Sequence, residues 1–174
     1  MTNGMGSSLD GERNFYCVKI IKRNDATIMK SVIKTIEIGK FGPIYRQFVR
    51  KPKDAIKHLR KMQNGECTKA LYRDDIGFID IVWGEVTDPI KHKGFGLVHI
   101  IDKHEPEINR LGFKIEDFIP IVVQFGDFNL KKSDNQKKVF ESKGFRFVIA
   151  LQKEAQGRTK KWLLTAFDII KRPK

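Results

Sequence analysis

The chain has 174 residues, of which 40% are apolar, and a formal net charge of +13. That length supports one well-buried core with at most a small extra lobe. Two isolated cysteines, Cys17 and Cys67, exclude a disulfide framework and a cysteine-built metal cluster, and no apolar run is long enough to span a bilayer.

Basicity on this scale points to nucleic acid, less often to an anionic membrane surface. From Asp127 to Lys174 there are 13 Lys and Arg against 5 Asp and Glu, a surplus of eight. The last stretch of the chain is therefore the expected docking field. Lys160 and Lys161 are its central candidates. The N-terminus lacks a secretory signal, so a cytoplasmic protein is expected, or a toxin domain carried to a target cytoplasm by another segment.

Met1 to Arg13 is Gly/Ser-rich and reads as a flexible tail. Residues 14–50 read as an N-terminal extension or subdomain, with a strand over Asn14 to Ile21. In Ala26 to Ile38 helical spacing and strand alternation compete. Residues 51–174 read as the main domain. Pro52 to Met62 is a helix, with Pro52 in its first turn and Ala55, Ile56, Leu59 and Met62 on one stripe. Ile76 to Trp83 alternates as a strand. Asp88-Pro89 opens a loop that carries Lys91, His92 and Lys93. Leu97 to Lys103 is a helix, and Phe113 to Phe125 another, disturbed by Pro120. Lys138–Ser142, Phe145–Lys153 and Lys160–Ile170 then read as an antiparallel meander. The expected fold is α+β, with N-terminal helices packed on a C-terminal antiparallel sheet of about four strands.

His99 and Lys103 lie four apart, so on a helix they share a face. That face is not the Leu97/Ile100/Ile101 stripe, which would leave His99 partly exposed and put His104 on the buried side. Imidazole is suited to proton transfer near neutral pH. Gly94 and Gly96 precede the helix. They either bring backbone amides close to a phosphate or make a tight turn that admits no Cβ. Arg146 points away from the Phe145/Phe147/Ile149/Leu151 face, as a free surface arginine or as a phosphate partner. Strict alternation sets Thr165 with Leu163 and Phe167, opposite Trp162. Thr165 is either a β-former or a functional hydroxyl. Metal chemistry is not expected: no His/Cys cluster has zinc spacing, and adjacent Asp74 and Asp75 point apart. No cofactor is expected either.

Together, Ile76-Gly77-Phe78-Ile79-Asp80-Ile81-Val82-Trp83-Gly84, Gly94-Phe95-Gly96-Leu97-Val98-His99-Ile100-Ile101-Asp102-Lys103-His104 and Trp162-Leu163-Leu164-Thr165-Ala166-Phe167 resemble the phage-type branch of the barnase–EndoU–colicin–RelE-like nucleases. The resemblance spans roughly Pro52 to Phe167. It implies a RelE/barnase-like fold and metal-independent cleavage of RNA. Its motif positions fall on His99, Lys103, Arg146, Trp162 and Thr165. Phe78 departs from it, standing where the family often has aspartate.

The expected activity is a toxin-like endoribonuclease that uses the RNA 2′-hydroxyl as nucleophile and leaves a 2′,3′-cyclic phosphate. His99, Lys103, Arg146 and Thr165 form the expected catalytic set. Lys91, Lys93, Gly94, Gly96, Lys160, Lys161 and Trp162 form the expected RNA contacts. RNA is the expected partner, an antitoxin or immunity protein is a further one, and no membrane is involved. The rival reading is a non-catalytic nucleic-acid-binding module of a phage or mobile element.

Overall fold

The computed structural model describes residues 36–142, 144–154 and 157–169. The strand expected over Asn14 to Ile21 and most of the segment 26–38 lie outside them. The described elements belong to one compact unit that begins at Thr35.

In chain order the strands are β1 (Ile38–Gly39), β2 (Gly42–Tyr45), β3 (Glu66–Arg73), β4 (Gly77–Val82), β5 (Glu85–Asp88), β6 (Lys93–Phe95), β7 (Asp127–Phe128), β8 (Lys137–Ser142), β9 (Phe145–Lys153) and β10 (Thr159–Asp168). The helices are α1 (Pro52–Met62), α2 (Gly96–Arg110) and α3 (Ile115–Phe125). Eight strands form one sheet in the order β1-β2-β3-β4-β10-β9-β8-β7, and β5 and β6 make a separate hairpin.

This corrects the expected architecture of N-terminal helices on about four antiparallel strands. The sheet is mixed and twice as wide. β2 runs parallel to β3, and β10 runs parallel to β4, meeting it at Trp162 and Asp80. The helices fall between strands rather than before them. Two causes hid the extra strands. β1 and β2 are short and carry glycine and proline, which read as punctuation. β3 breaks its own alternation: register shifts between Cys67 and Leu71, where Lys69 takes a positive φ of 57°. Ala70 and Leu71 are consequently both buried, and a period of two cannot be seen across such a bulge.

The core lies between the helices and one sheet face. α1 contributes Ala55, Ile56 and Leu59, α2 contributes Leu97, Ile100 and Ile108, and α3 contributes Ile115, Phe118 and Ile119. They meet Ile79, Ile81, Phe140, Phe147, Ile149, Leu163 and Ala166. Phe140 and Phe147 stack with centroids 4.6 Å apart. α1 spans the range its stripe predicts and ends as Gln63, in the left-handed region, donates its N–H to the Leu59 carbonyl. On the other face a smaller cluster joins Val82, Ala150 and Trp162 with Phe41, Phe95 and Leu164.

Candidate active site

The second sheet face is organised by a bulge in β10. Register shifts between Leu163 and Thr165, so Leu163 pairs with Ile149 but Thr165 pairs with Val148. Leu163 and Ala166 therefore both reach the core. Thr165 is carried to the face of Trp162, Ala150, Val148 and Arg146, the reverse of strict alternation. Bulges re-aim side chains in this way. Phe167, opposite Arg146, lies on the same face.

α2 packs on this end of β10 and contributes two histidines. His99 is 7% and His104 6% exposed, so His99 is sunk rather than displayed. Their rings meet edge-on with centroids 5.7 Å apart. His104 stacks on Phe167 at 4.9 Å, and the Arg146 guanidinium carbon lies 5.5 Å from the Phe167 centroid. A line of rings thus runs from His99 through His104 and Phe167 to Arg146.

The polar atoms along this line are unsatisfied. His99 Nδ1, His104 Nδ1, Thr165 Oγ1 and Trp162 Nε1 are buried without a hydrogen-bond partner. The nearest carboxylate to His104 Nδ1, that of Glu107, is 3.7 Å away, beyond hydrogen-bond range. Most buried polar groups are paired, and an orphan costs roughly 1–3 kcal/mol. Burial, then Lys103 and His92, hold His99 below the ordinary histidine pKa, against a partly opposing Asp102. Burial and then Lys103, His99 and His92 push His104 down to about 3. Both rings are neutral at neutral pH. A neutral ring with a free nitrogen can accept a proton, and His99 is the less depressed of the two.

Lys103 is exposed on α2 and makes no ion pair among the described residues. Arg146 is held by Glu141. Lys132 and Asn129 also bind that carboxylate, at 2.9 and 2.8 Å, and Lys132 foremost lowers the Glu141 pKa to about 2.

The expected RNA contacts divide. Lys91 and Lys93 are exposed on the β5–β6 hairpin, whose tip is tied to α2 by His92 Nδ1 and Asp102 at 3.1 Å. Gly94 and Gly96 serve packing. A Cβ on Gly94 would overlap the Glu85 carbonyl, and one on Gly96 (φ 79°) would press on Gly84 and Trp83. The Val98 N–H at the α2 start is already given to the Trp83 carbonyl, at 2.9 Å. Lys160 and Lys161 point to opposite faces. Lys160 binds both oxygens of the fully buried Glu66 at 2.6–2.7 Å and lies 3.9 Å from Asp80. Lys161 donates to the Ile76 carbonyl. Trp162 is covered by Phe41 at 5.2 Å.

Sequence reasoning missed Glu66, Asp80 and Phe167 as organising residues. Asp80 accepts the Lys69 N–H at 2.7 Å and so fixes the β3 bulge. Burial raises its pKa first of all. Its place in a period-two strand, a carboxylate between Ile79 and Ile81, was the visible sign. Among the described residues no group of three or more His, Cys, Asp or Glu is placed to hold a metal ion, and no helix is long and apolar enough to cross a membrane.

Residues 70–173 match the model of the phage-Barnase-EndoU-ColicinE5/D-RelE like nuclease 1 family. The match covers more than half of the chain, and the chain belongs to this nuclease family, the one its motifs resemble. No curated protein and no solved structure matches it.

Proposed function

We propose that this nuclease-family chain is an endoribonuclease that works by internal transesterification. The observation that carries the reading is the set of unpartnered buried polar atoms on α2 and β10: His99 Nδ1, Thr165 Oγ1 and Trp162 Nε1. Such orphans are tolerated where a ligand supplies the missing partner.

In this mechanism the RNA 2′-oxygen attacks the adjacent phosphorus. Its proton passes to His99 Nδ1, in the ring tautomer that carries hydrogen on Nε2. The bond from phosphorus to the 5′-oxygen breaks, and that oxygen leaves with the proton His99 has taken up. The product is a 2′,3′-cyclic phosphate. Lys103 stabilises the extra charge on the phosphorane, Thr165 donates to one of its oxygens, and Arg146, held by Glu141, braces the Phe167–His104 stack beside them. Proton transfer and charge stabilisation of this kind each contribute roughly a hundredfold or more. Lys91 and Lys93 on the hairpin meet flanking phosphates.

The test is digestion of matched RNA and DNA oligonucleotides in excess EDTA, with analysis of the product ends. RNA-only cleavage to a 2′,3′-cyclic phosphate is expected. His99→Ala and Thr165→Ala are each expected to lower the single-turnover rate at least roughly tenfold while remaining folded. Equal cutting of DNA, which has no 2′-hydroxyl, overturns the mechanism. Intact RNA with a mobility shift instead supports a non-catalytic binding module.

A further inference from the structure

Away from the α2–β10 site, β3 and β4 expose an aromatic pair. Tyr72 and Phe78 are register partners, with ring centroids 5.1 Å apart and planes at 63°. They remain 38% and 36% exposed. Both project from the sheet face opposite Ile79 and Ile81. Cross-strand aromatic pairs do stabilise antiparallel strands, and that alone would account for the two rings. It does not account for what stands over them.

Each ring carries a cation. The Arg50 guanidinium carbon lies 4.7 Å from the Tyr72 centroid, and Lys69 Nζ lies 5.5 Å from that of Phe78. Neither cation makes an ion pair among the described residues. That sets them apart from Arg46, Lys53, Arg60, Arg73, Arg146 and Lys160, each of which faces a carboxylate.

The backbone beneath is strained at both cations. Arg50 and Lys69 are non-glycine residues with φ of 55° and 57°, a conformation that costs roughly 1–2 kcal/mol per residue. The two are joined, since the Arg50 N–H donates to the Lys69 carbonyl at 3.0 Å. Lys69 in turn is held by its N–H to Asp80. Strain maintained at adjoining residues, both of which present charge over exposed rings, is an observed outlier of the kind that marks ligand sites. Beside Tyr72 and Arg50 a cleft of about 650 Å³ opens against α3. Arg73 in its wall is neutralised by Asp75, at 2.9 Å, so the cleft suits a base better than a phosphate.

We propose that Tyr72 and Phe78, flanked by Arg50 and Lys69, are a stacking subsite for single-stranded nucleic acid. Bases stack on the rings, and the two cations meet the backbone phosphates. Aromatic platforms flanked by cations bind single strands with little regard to sequence, because every base has a π-face. The subsite lies upstream of Asp80 on β4. Asp80 pairs with Trp162, and Thr165 follows on the parallel β10, so the two sites are separated by roughly 15 Å at about 3.3 Å per residue. A single strand of a few nucleotides reaches both. As an extension of the catalytic site, the subsite rests on the ribonuclease reading. As a binding surface it is tested without it.

The experiment measures fluorescence anisotropy of a labelled single-stranded oligodeoxynucleotide, which has no 2′-hydroxyl and survives the assay. Wild type, Y72L/F78L and R50Q are compared, with circular dichroism and melting temperature recorded for each. Leucine keeps the apolar packing of the strands and removes only the π-faces. Y72L/F78L is expected to weaken binding at least roughly tenfold, since loss of one stacked base costs about fivefold or more. R50Q is expected to weaken it less. A folded Y72L/F78L that binds within about twofold of wild type overturns the subsite, even if the protein cleaves RNA. Wild type that fails to bind the oligonucleotide at low salt also overturns it and leaves the face to a protein partner. Binding that depends on the rings, in a protein that cuts no RNA, upholds the subsite and refutes the catalytic reading alone.

Discussion

His104 provides a test of the site's electrostatics that needs no substrate. Its ring is buried against Phe167 and next to His99, and its pKa falls to about 3. The unfolded chain binds a proton there below a pKa of about 6.5, and the folded chain does not until far lower pH. The unfolded state therefore holds more protons as pH falls through 6.5, and stability present above that pH is lost below it. Integrated from pH 7 to pH 5, one such histidine costs about 2 kcal/mol, and His99 adds a loss of the same sign. For a chain of this size about 2 kcal/mol corresponds to roughly 4–8 °C in Tm. His104→Leu removes the titrating group and the unpartnered Nδ1 together. It is expected to match or exceed wild-type stability at pH 7, and to lose about 2 kcal/mol less than wild type on going to pH 5. Asp80 and Glu141 titrate alike in both proteins and cancel in the comparison. Urea melts of the pair at the two pH values measure the difference. Parallel pH profiles would refute the argument, because they would mean that His104 is protonated in the fold as readily as outside it.

Other consequences concern the scaffold. Lys160→Met strands the fully buried Glu66 carboxylate and is expected to cost roughly 3–5 kcal/mol; the double variant Lys160→Met/Glu66→Leu should recover most of that in urea melts, and a single variant as stable as wild type would return Lys160 to the pool of docking cations. Gly84→Ala would drive a Cβ into the Phe95 carbonyl at φ 81°, whereas Gly112→Ala meets only open space at the same φ. The second should cost about 1–2 kcal/mol and the first clearly more, so equal melting temperatures would show that the β4–β5 and β6–α2 junctions do not touch as closely as described.

Much of the helical and late-strand structure was legible because it obeys simple periods. α1, β9 and β8 fall within a residue of where stripe and alternation set them, α3 was visible as an apolar-rich run, and α2 was visible through its apolar stripe but extends seven residues beyond the expected end at Lys103. What was hidden is what departs from a period. The Lys69 bulge concealed β3, and with it the parallel docking that makes the sheet mixed. The bulge before Thr165 inverted the assignment of that side chain. Both shifts are set by long-range partners, Asp80 for Lys69 and Val148 for Thr165, and no local pattern encodes them. His99 shows the same limit. It lies off the apolar stripe of its helix yet is buried, because α2 is covered on more than one side, by the core and by the end of β10.

The charge was legible as a total, and the fold decides which of its carriers are paired. The C-terminal surplus of eight suggests a docking field, and five of its thirteen cations are engaged among the described residues. Lys132 and Arg146 share Glu141, Lys137 faces Asp134, Lys160 holds Glu66, and Lys161 is turned to a carbonyl. An ion pair of this kind gives little field to an approaching polyanion, since the counterion that nucleic acid would displace is a fixed carboxylate. The cations without such partners among the described residues include Arg50, Lys51 and Lys69 near the aromatic pair, Lys91, Lys93 and Lys103 around α2, and Lys131, Lys138, Lys153 and Arg158 in the C-terminal stretch. The first two groups flank the span from Tyr72 to Thr165. For a strand that engages both sites, the salt dependence of affinity should respond to substitution in these two groups rather than at Lys160, whose charge is held by Glu66.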